Sequence, residues 1–310
     1  MKLPIIRLWL MMLLMALWTP QVLGQILDKT SILRLTKQWQ GERFSDGRPR
    51  LSDSLLSRAA HVGLDDAWTI LRNEGYAHQF EGNWKIIHPQ QNMVGRALTA
   101  QFMPSRPDLE SLVLETGENE GRKGNNNSWP IDVLVDGDIY VADGFGKIKG
   151  GTLIGQTLGK SIYGRSKNGV VFDAAVRDLE GLKEIDGFNA FVRGFDPSYL
   201  EDAVLYGINT AIRIGQATVL PGDLVLANEE GVLFIPAHLA EDVIVTAEFI
   251  QLRDAFGDEM IQTEQYTTGE IDNQWTETIK KRFVEWLRKH PEMPQIDKAQ
   301  LDELMLKRTW

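Results

Sequence analysis

Arg177 and Asp178 stand directly after the apolar run "GVVFDAAV", so two opposite charges follow what reads as a buried strand. The carboxyl end of such a strand faces whatever pocket the sheet carries. Gly155 lies 22 positions before Arg177, and one predicted helix and the strand separate them. This separation can return the chain to the same rim of the sheet. We therefore expect Gly155, Arg177 and Asp178 to converge.

The chemistry of these groups favours a small anionic ligand. Amides around Gln156–Leu158 would open a helix without partners, and such amides bind carboxylate or phosphate. The Arg177 guanidinium can hold a carboxylate through two parallel hydrogen bonds. Asp178 suits a hard divalent ion such as magnesium, which needs few carboxylates and keeps several waters. From the residues alone, an ordinary solvated strand end stays open as the alternative.

Other reactive patterns are weaker. The segment "GFGKIKGG" (144–151) is neither a dinucleotide fingerprint nor a Walker A sequence, and we expect a bare glycine loop that enters a helix. The chain has no cysteine and no G-x-S-x-G elbow, which excludes disulfides, thiolate chemistry and that serine-hydrolase motif. Its histidines form no H-x-x-x-H pair; they are His61, His78, His88, His238 and His290.

Composition and charge indicate a globular protein with no nucleic-acid partner. The 310 residues are 43% hydrophobic and 25% charged, and the formal net charge is −10. No basic stripe is visible, whereas phosphate backbones require clustered lysine and arginine.

The N-terminus predicts a secretory signal peptide over residues 1–24. Lys2 and Arg7 precede the run "LWLMMLLMALW", and small residues precede a cleavage site expected before Gln25. The apolar run of 11 residues is short for a span of roughly 20. We therefore expect an exported protein, periplasmic or secreted, with no membrane contact beyond this segment, although an uncleaved N-terminal anchor is the alternative.

The remaining chain divides into three predicted parts. Residues 25–50 read as an N-terminal arm, residues 51–271 as an α/β domain and residues 272–310 as a helical tail. Within the domain, many short strands and few helices predict a compact α/β sandwich. In the tail, "NQWTETIKKRFVEWLRKHPE" places Trp275, Ile279, Phe283, Trp286 and Leu287 on one helical face, which favours structural packing over a binding role.

The stretch "VDGDIYVADGFGKIKGGTLIGQTLGKSIYGRSKNGVVFDAAVRDLEGL", followed by "LPGDLVLANEEGVLFIP", resembles the RraA-like family. "GLDDAWTILRNEGY" and "MVGRALTAQ" extend the resemblance, which runs from about Leu55 to Glu270. The family includes divalent-metal-dependent 4-hydroxy-4-methyl-2-oxoglutarate aldolases. The resemblance implies a swivelling β/β/α sandwich, usually a homotrimer with sites between subunits, to which this chain adds a C-terminal helical extension.

The resemblance also assigns roles to residues. Arg177 would bind a 2-oxo acid and stabilise its enolate, and Asp178 would hold Mg²⁺ or Mn²⁺. Gly155 and the amides of Thr157 and Leu158 would receive the substrate carboxylate. An acidic residue from the late helix of a neighbouring subunit would complete the site, and the candidates are Asp254 and Glu248.

Gln156 departs from the aldolase pattern, which has an acidic residue at this position. An amide accepts no proton and adds no charge near a metal-bound water. Three hypotheses follow: a metal-dependent aldolase or decarboxylase that acts through a pyruvate enolate, a non-catalytic trimer that binds a small carboxylate or a protein partner, and a different reaction on a sugar-derived acid in which Gln156 reads a hydroxyl.

Overall fold

The computed structural model of the chain describes residues 28–291, 293 and 298–306. The predicted signal peptide and its cleavage site lie outside these residues. The strands are β1 Phe80–Glu81, β2 Lys85–Ile86, β3 Met93–Pro104, β4 Asp138–Ile154, β5 Val170–Val176, β6 Ala190–Phe195, β7 Ala203–Ile208, β8 Ile212–Ile214, β9 Ala217–Val219, β10 Leu224–Asn228 and β11 Gly231–Ile235.

The helices surround these strands. They are α1 Lys29–Leu35, α2 Asp53–Ala59, α3 Leu64–Asn73, α4 Pro107–Asn119, α5 Gln156–Ser166, α6 Leu179–Lys183, α7 Ala240–Gln262, α8 Thr268–Ile271, α9 Glu277–Lys289 and α10 Lys298–Leu304. Short 3₁₀ helices cover Asn126–Val133 and Ala237–Leu239. Within the part of the chain just defined, no helix is both long and apolar enough to cross a membrane.

A mixed sheet forms the centre of the molecule, in the order β1-β11-β10-β3-β4-β5-β6-β2, with β7 also paired to β3. Strands β3, β4, β5 and β6 run parallel. All seven residues of β5 are buried, because helices cover one face of the parallel strands and further strands cover the other. This burial explains why β5 reads as a continuous apolar run.

Two packed layers flank the sheet. On one face, Ile162 of α5 and Leu182 of α6 pack against Phe172 of β5. On the other face, Val171 of β5 packs in a cluster with the β8–β9 hairpin and with Phe234 of β11. The outer side of the β10–β11 hairpin then carries α2, α3 and α7. The predicted α/β sandwich is confirmed.

A buried ion cluster joins residues before the sandwich to its central sheet. Arg48 Nη1 donates to Asp138 Oδ2 over 2.9 Å, and its Nε donates to Asp46 over 2.7 Å. Arg96 Nε lies 3.5 Å from the other Asp138 oxygen. Arg48 and Asp138 are at most 1% exposed. Losing one partner of such a cluster would leave a buried charge without compensation. The cluster therefore holds the segment with Asp46 and Arg48 against the start of β4.

The glycine-rich segment before α5 differs from its predicted form. Gly144–Gly151 belong to β4 rather than to a loop, and α5 begins at Gln156, after the strand has reached Ile154. The register between β4 and β5 shifts after Asp143, after Lys147 and after Thr152, so the extra residues of β4 are absorbed as bulges. The glycines allow the close approach, since a Cβ on Gly151 would lie 2.0 Å from the Lys147 carbonyl oxygen.

The helical tail packs on the same chain that carries it. Trp275, Ile279, Phe283, Trp286 and Leu287 are all buried, and they meet the second half of α7. The Phe283 ring lies 5.4 Å from the Phe256 ring, centroid to centroid, at a steep edge-on angle. Glu259 of α7 accepts a hydrogen bond of 2.6 Å from the Trp286 indole. The predicted apolar face is confirmed, and it acts in packing within the chain.

Phe283→Ala tests how firmly the tail is held. The side chain is fully buried, so its loss should lower the free energy of unfolding by roughly 3–5 kcal/mol. Urea denaturation followed by tryptophan fluorescence measures this change. Glu285→Ala on the exposed face is the control and should stay within about 0.5 kcal/mol. Equal stabilities for the two variants would show that the tail contributes little to the fold.

Candidate active site

The ends of β4 and β5 lie side by side and bring Gly155 to Asp178. Ile154 pairs with Val176 in the last rung between these strands, and Arg177 N donates to Ile154 O over 3.0 Å. Gly155 and Arg177, which follow these two strands, therefore lie at the same rim of the sheet. A Cβ on Gly155 would lie 2.3 Å from Asp178 Oδ2, so only glycine fits without moving that carboxylate.

Asp178 adopts a backbone conformation that is uncommon for a side-chain-bearing residue, with φ 55° and ψ 45°. Aspartate tolerates this left-handed region better than most residues do. The turn carries the chain from β5 into α6 and directs the carboxylate back towards α5. Gln156 N donates to Asp178 Oδ2 over 3.3 Å, and Arg177 Nε lies 3.9 Å from the same oxygen.

The first turn of α5 supplies backbone donors at this rim. No side chain caps the helix, and its first intrahelical hydrogen bond runs from Gly159 N to Gly155 O. The amides of Thr157 and Leu158 therefore have no helical acceptor. The positive end of the helix dipole also favours an anion here.

These groups line one polar cleft of about 440 Å³. The wall formed by β4, α5 and the end of β5 contributes Gly155, Thr157, Leu158, Arg177 and Asp178. A second wall comes from residues that sequence reasoning did not select; they are Ser105, Glu110, Leu114, Gly124–Asn127, Tyr199, Leu200, Asp202 and Ala203. The sequence feature that could have indicated this wall is the polar, asparagine-rich segment after α4.

Tyr199 fixes the direction of the arginine. The Arg177 guanidinium carbon lies 4.7 Å from the centre of the Tyr199 ring, a cation–π contact at the mouth of the cleft. The Arg177 side chain is 34% exposed and that of Asp178 is 54% exposed. Both charges therefore remain accessible to a ligand.

A family model described as RraA-like, with Aldolase/RraA as its fuller name, matches residues 49–234, which is more than half of the chain. This chain belongs to the RraA-like family. The match includes both walls of the cleft and ends before α7 and the tail.

Sequence relatives agree with this assignment. A protein of Halalkalibacterium halodurans named "Putative 4-hydroxy-4-methyl-2-oxoglutarate aldolase" is 32% identical over 124 residues, 38% of this chain and 55% of that protein. An uncharacterized protein of Methanocaldococcus jannaschii is 28% identical over 155 residues, 48% of this chain and 74% of that protein. Protein DlpA of Legionella pneumophila is 26% identical over 208 residues, 64% of this chain and 31% of that protein. The chain thus spans about half of the first of these relatives and about a third of the last.

Solved structures share the fold. Streptomyces coelicolor RraAS2, described as an unusual member of the RNase ES inhibitor RraA protein family, superposes with a TM-score of 0.58 at 21% identity and covers 68% of this chain and all of that one. An uncharacterized Pseudomonas syringae protein gives 0.57 at 19% identity, over 73% of this chain and 95% of that one. At these identities the likeness establishes the RraA-like fold.

Gln156 donates through its backbone amide, but its side chain turns away from the cleft. A Cβ on Gly181 in α6 would lie 2.5 Å from the Gln156 side-chain carboxamide carbon, so this side chain lies against α6 at Gly181. Gln156 is not among the residues that line the cleft. Its predicted role in chemistry stays a prediction, and the contact with Asp178 comes from its backbone amide.

The two acidic candidates on α7 lie elsewhere in the chain. Glu248 accepts two hydrogen bonds from Arg58, of 2.8 and 2.7 Å. Asp254 lines a separate cleft that includes Arg253 and Trp275. Burial raises the pKa of Asp254, and neighbouring Arg253 opposes the increase. Neither residue meets Arg177 within one chain, so a contribution from a neighbouring subunit stays a prediction.

The carboxylate at the rim suits an ion such as magnesium, which needs few protein ligands. Within the described ranges, no group of three or more histidine, aspartate or glutamate side chains is arranged to hold a metal. The Asp178 carboxylate is exposed and takes one long hydrogen bond, so it has acceptor capacity left for a hydrated cation. Magnesium commonly binds through one or two carboxylates and completes its shell with water and substrate oxygens.

Gly155→Ala tests the close approach on which this rim depends. Gly155 has φ −126° and ψ −167°, which alanine adopts easily, so the fold should persist while the Asp178 carboxylate is displaced. We expect binding of pyruvate, measured by calorimetry with magnesium, to weaken at least about tenfold, since a charged contact is worth about 1.5–3 kcal/mol.

Gly164→Ala on the same helix is the matched control. A Cβ there meets nothing within 4 Å. This variant should bind normally and gain up to about 1 kcal/mol of stability from helix propensity. Normal binding by Gly155→Ala would contradict the assigned rim.

Proposed function

We propose that this protein is a divalent-metal-dependent lyase that acts on a small 2-oxo acid through a pyruvate enolate. The observation that carries the proposal is the convergence of three groups at one cleft: the free amides of α5, the Arg177 guanidinium and the Asp178 carboxylate. The names of the aldolase-like relatives support the same reaction class.

Each group in the cleft has a separate role in the proposed reaction. The amides of Thr157 and Leu158 bind the substrate carboxylate, and Arg177 binds the same end of the molecule. When carbon–carbon cleavage moves negative charge onto the 2-oxo oxygen, Arg177 stabilises that charge. Asp178 would hold the metal ion, which when bound supplies Lewis-acid stabilisation to the enolate. No Schiff-base lysine is needed, and Lys149 and Lys160 are exposed rather than desolvated.

Within a single chain, Gln156 supplies no acid or base for proton transfer at this site. Gln156 accepts no proton, and its side chain lies over Gly181. We propose that a neighbouring subunit of a homotrimer contributes the base, with Asp254 as the candidate. We also propose export through the N-terminal segment, because residues 1–24 have the charge and apolar pattern of a signal peptide.

The deciding experiment measures pyruvate release from oxaloacetate and from 4-hydroxy-4-methyl-2-oxoglutarate, with magnesium, with manganese and with chelator. We expect release that depends on the metal. Arg177→Lys should reduce kcat by roughly 10²–10³-fold, since lysine keeps the charge but loses the planar fork. Asp178→Asn keeps the left-handed turn but removes the charge that would hold the ion, so it should abolish the metal-dependent release of pyruvate.

Exposed residues supply matched controls for these two changes. Arg165→Lys and Asp186→Asn alter the same residue types on or near α5 and α6, away from the cleft. Both should retain activity. Metal-independent release, or full activity in Arg177→Lys and Asp178→Asn, would refute the proposed site.

Gln156 favours a second candidate, a non-catalytic trimer that binds a small carboxylate or a protein partner through the same cleft. The two candidates differ in what Gln156→Asp does. If the missing carboxylate limits catalysis, this variant should raise aldol cleavage by roughly 10²-fold, the lower range for acid–base catalysis. Gln156→Asn introduces a side chain with the shape of aspartate but without its charge, so it should not raise the rate of aldol cleavage. No release from the parent or from Gln156→Asp, with carboxylate binding retained, would favour the binding protein.

A further inference from the structure

The second wall of the cleft differs in charge from the wall that carries Arg177. Glu110 projects from the first turn of α4, and Asp202 precedes β7. Both line the cleft together with the segment Gly124–Asn127. The family resemblance assigns no role to these residues, so they are available to contact the part of a ligand that extends beyond the α5 amides.

The charges of the cleft are unbalanced. Among the described residues that line it, Arg177 is the only lysine or arginine, whereas Glu110 and Asp202 add two carboxylates besides Asp178. Arg177 is already committed to the carboxylate at the α5 end. A second ligand carboxylate at the far end would meet like charges and no cation from this chain, which opposes binding.

The hydrogen-bond acceptors on this wall favour hydroxyl groups instead. The Asn127 side-chain amide donates to Leu153 O over 2.7 Å, which fixes this asparagine against β4. Ser105 N donates to Asp202 O over 2.9 Å and fixes the backbone that carries Asp202. Carboxylate and carboxamide oxygens accept hydrogen bonds from hydroxyl groups.

We infer that the cleft selects a 2-oxo acid with a single carboxylate and an uncharged, hydroxylated tail, and that Glu110 and Asp202 reject a tail ending in a second carboxylate. This inference rests on the proposed function for the cradle end of the ligand. It assigns the far end, for which a sugar-derived monocarboxylic acid is the better substrate, whereas a dicarboxylate such as oxaloacetate is cleaved with a lower kcat/KM.

The reaction on such a substrate balances without any further reagent. In a 4-hydroxy-2-oxo acid the bond between C3 and C4 breaks, and its electron pair forms the enolate of pyruvate. The 4-hydroxyl group loses its proton and becomes the carbonyl of a hydroxyaldehyde. A proton then adds at C3, which releases pyruvate.

The test compares two substrates that differ only at C6. 2-Dehydro-3-deoxy-D-gluconate ends in an alcohol, and 2-dehydro-3-deoxy-D-glucarate ends in a carboxylate. We expect kcat/KM to favour the alcohol by at least about tenfold. Glu110→Gln and Asp202→Asn should each raise the relative rate on the dicarboxylate about fivefold, the effect of one unit charge at about 4 Å in water. Asparagine also suits the left-handed backbone of Asp202, whose φ is 50°.

Neighbouring acidic residues provide the controls. Glu115 on α4 and Glu201 beside Asp202 are exposed and do not line the cleft. Glu115→Gln and Glu201→Gln should leave the substrate ratio unchanged. A preference for the dicarboxylate, or a ratio unaffected by Glu110→Gln and Asp202→Asn, overturns the inference.

Binding without turnover separates this inference from the proposed reaction. D-Gluconate and D-glucarate form the same matched pair but cannot undergo this cleavage, and calorimetry in the presence of magnesium compares their affinities. One outcome is that gluconate binds more tightly than glucarate, that Glu110→Gln reduces this difference in affinity, and that no substrate releases pyruvate. This outcome would refute the lyase and support the tail subsite. Pyruvate release from oxaloacetate with equal or tighter binding of glucarate would support the lyase and refute the subsite. Binding of neither sugar acid also overturns the subsite.

Discussion

The contact between Gly155 and the Asp178 carboxylate is the constraint on which the candidate site depends. It exists because β4 and β5 run parallel and end at the same rung, Ile154 with Val176. A parallel pair directs both carboxyl ends to one edge of the sheet, and the helix that follows β4 then starts beside the turn that follows β5. The absence of a Cβ at Gly155 lets the two segments close to hydrogen-bonding distance.

The surrounding architecture keeps this edge in place while leaving it accessible. The helices α5 and α6 bury their apolar sides against β5, so their outer ends can remain polar without weakening the core. At the other end of the parallel strands, Arg48, Arg96 and Asp138 form the buried ion cluster that anchors the start of β4. Strand β4 is therefore held at its beginning by charge and at its end by the pairing that forms the site.

The cleft and the tail are two separate additions to one sandwich. The tail forms an aromatic cluster on α7, and its core residues do not line the cleft that contains Arg177. The cleft itself has two unlike walls. One carries donors and a cation suited to a carboxylate, and the other carries carboxylates and amides suited to hydroxyl groups. In the proposed function this asymmetry orients the ligand, because its anionic end and its neutral end would contact different elements.

Local patterns in the sequence determined much of the molecule. The continuous apolar run of β5, the turn between β10 and β11 and the apolar face of α9 each predict an element from residues close in the chain, and all three are present. The pair Arg177–Asp178 was identifiable because Gly155 lies 22 positions earlier, a separation that can return a helix start and a strand end to the same rim of the sheet. Only the tertiary structure placed Glu110, Asn127 and Asp202 in one wall, bulged the glycines into β4 and laid the Gln156 side chain over Gly181. Periodicity reports whether a residue is buried within its own element, whereas a shared wall depends on sheet register and on packing between segments far apart in the chain.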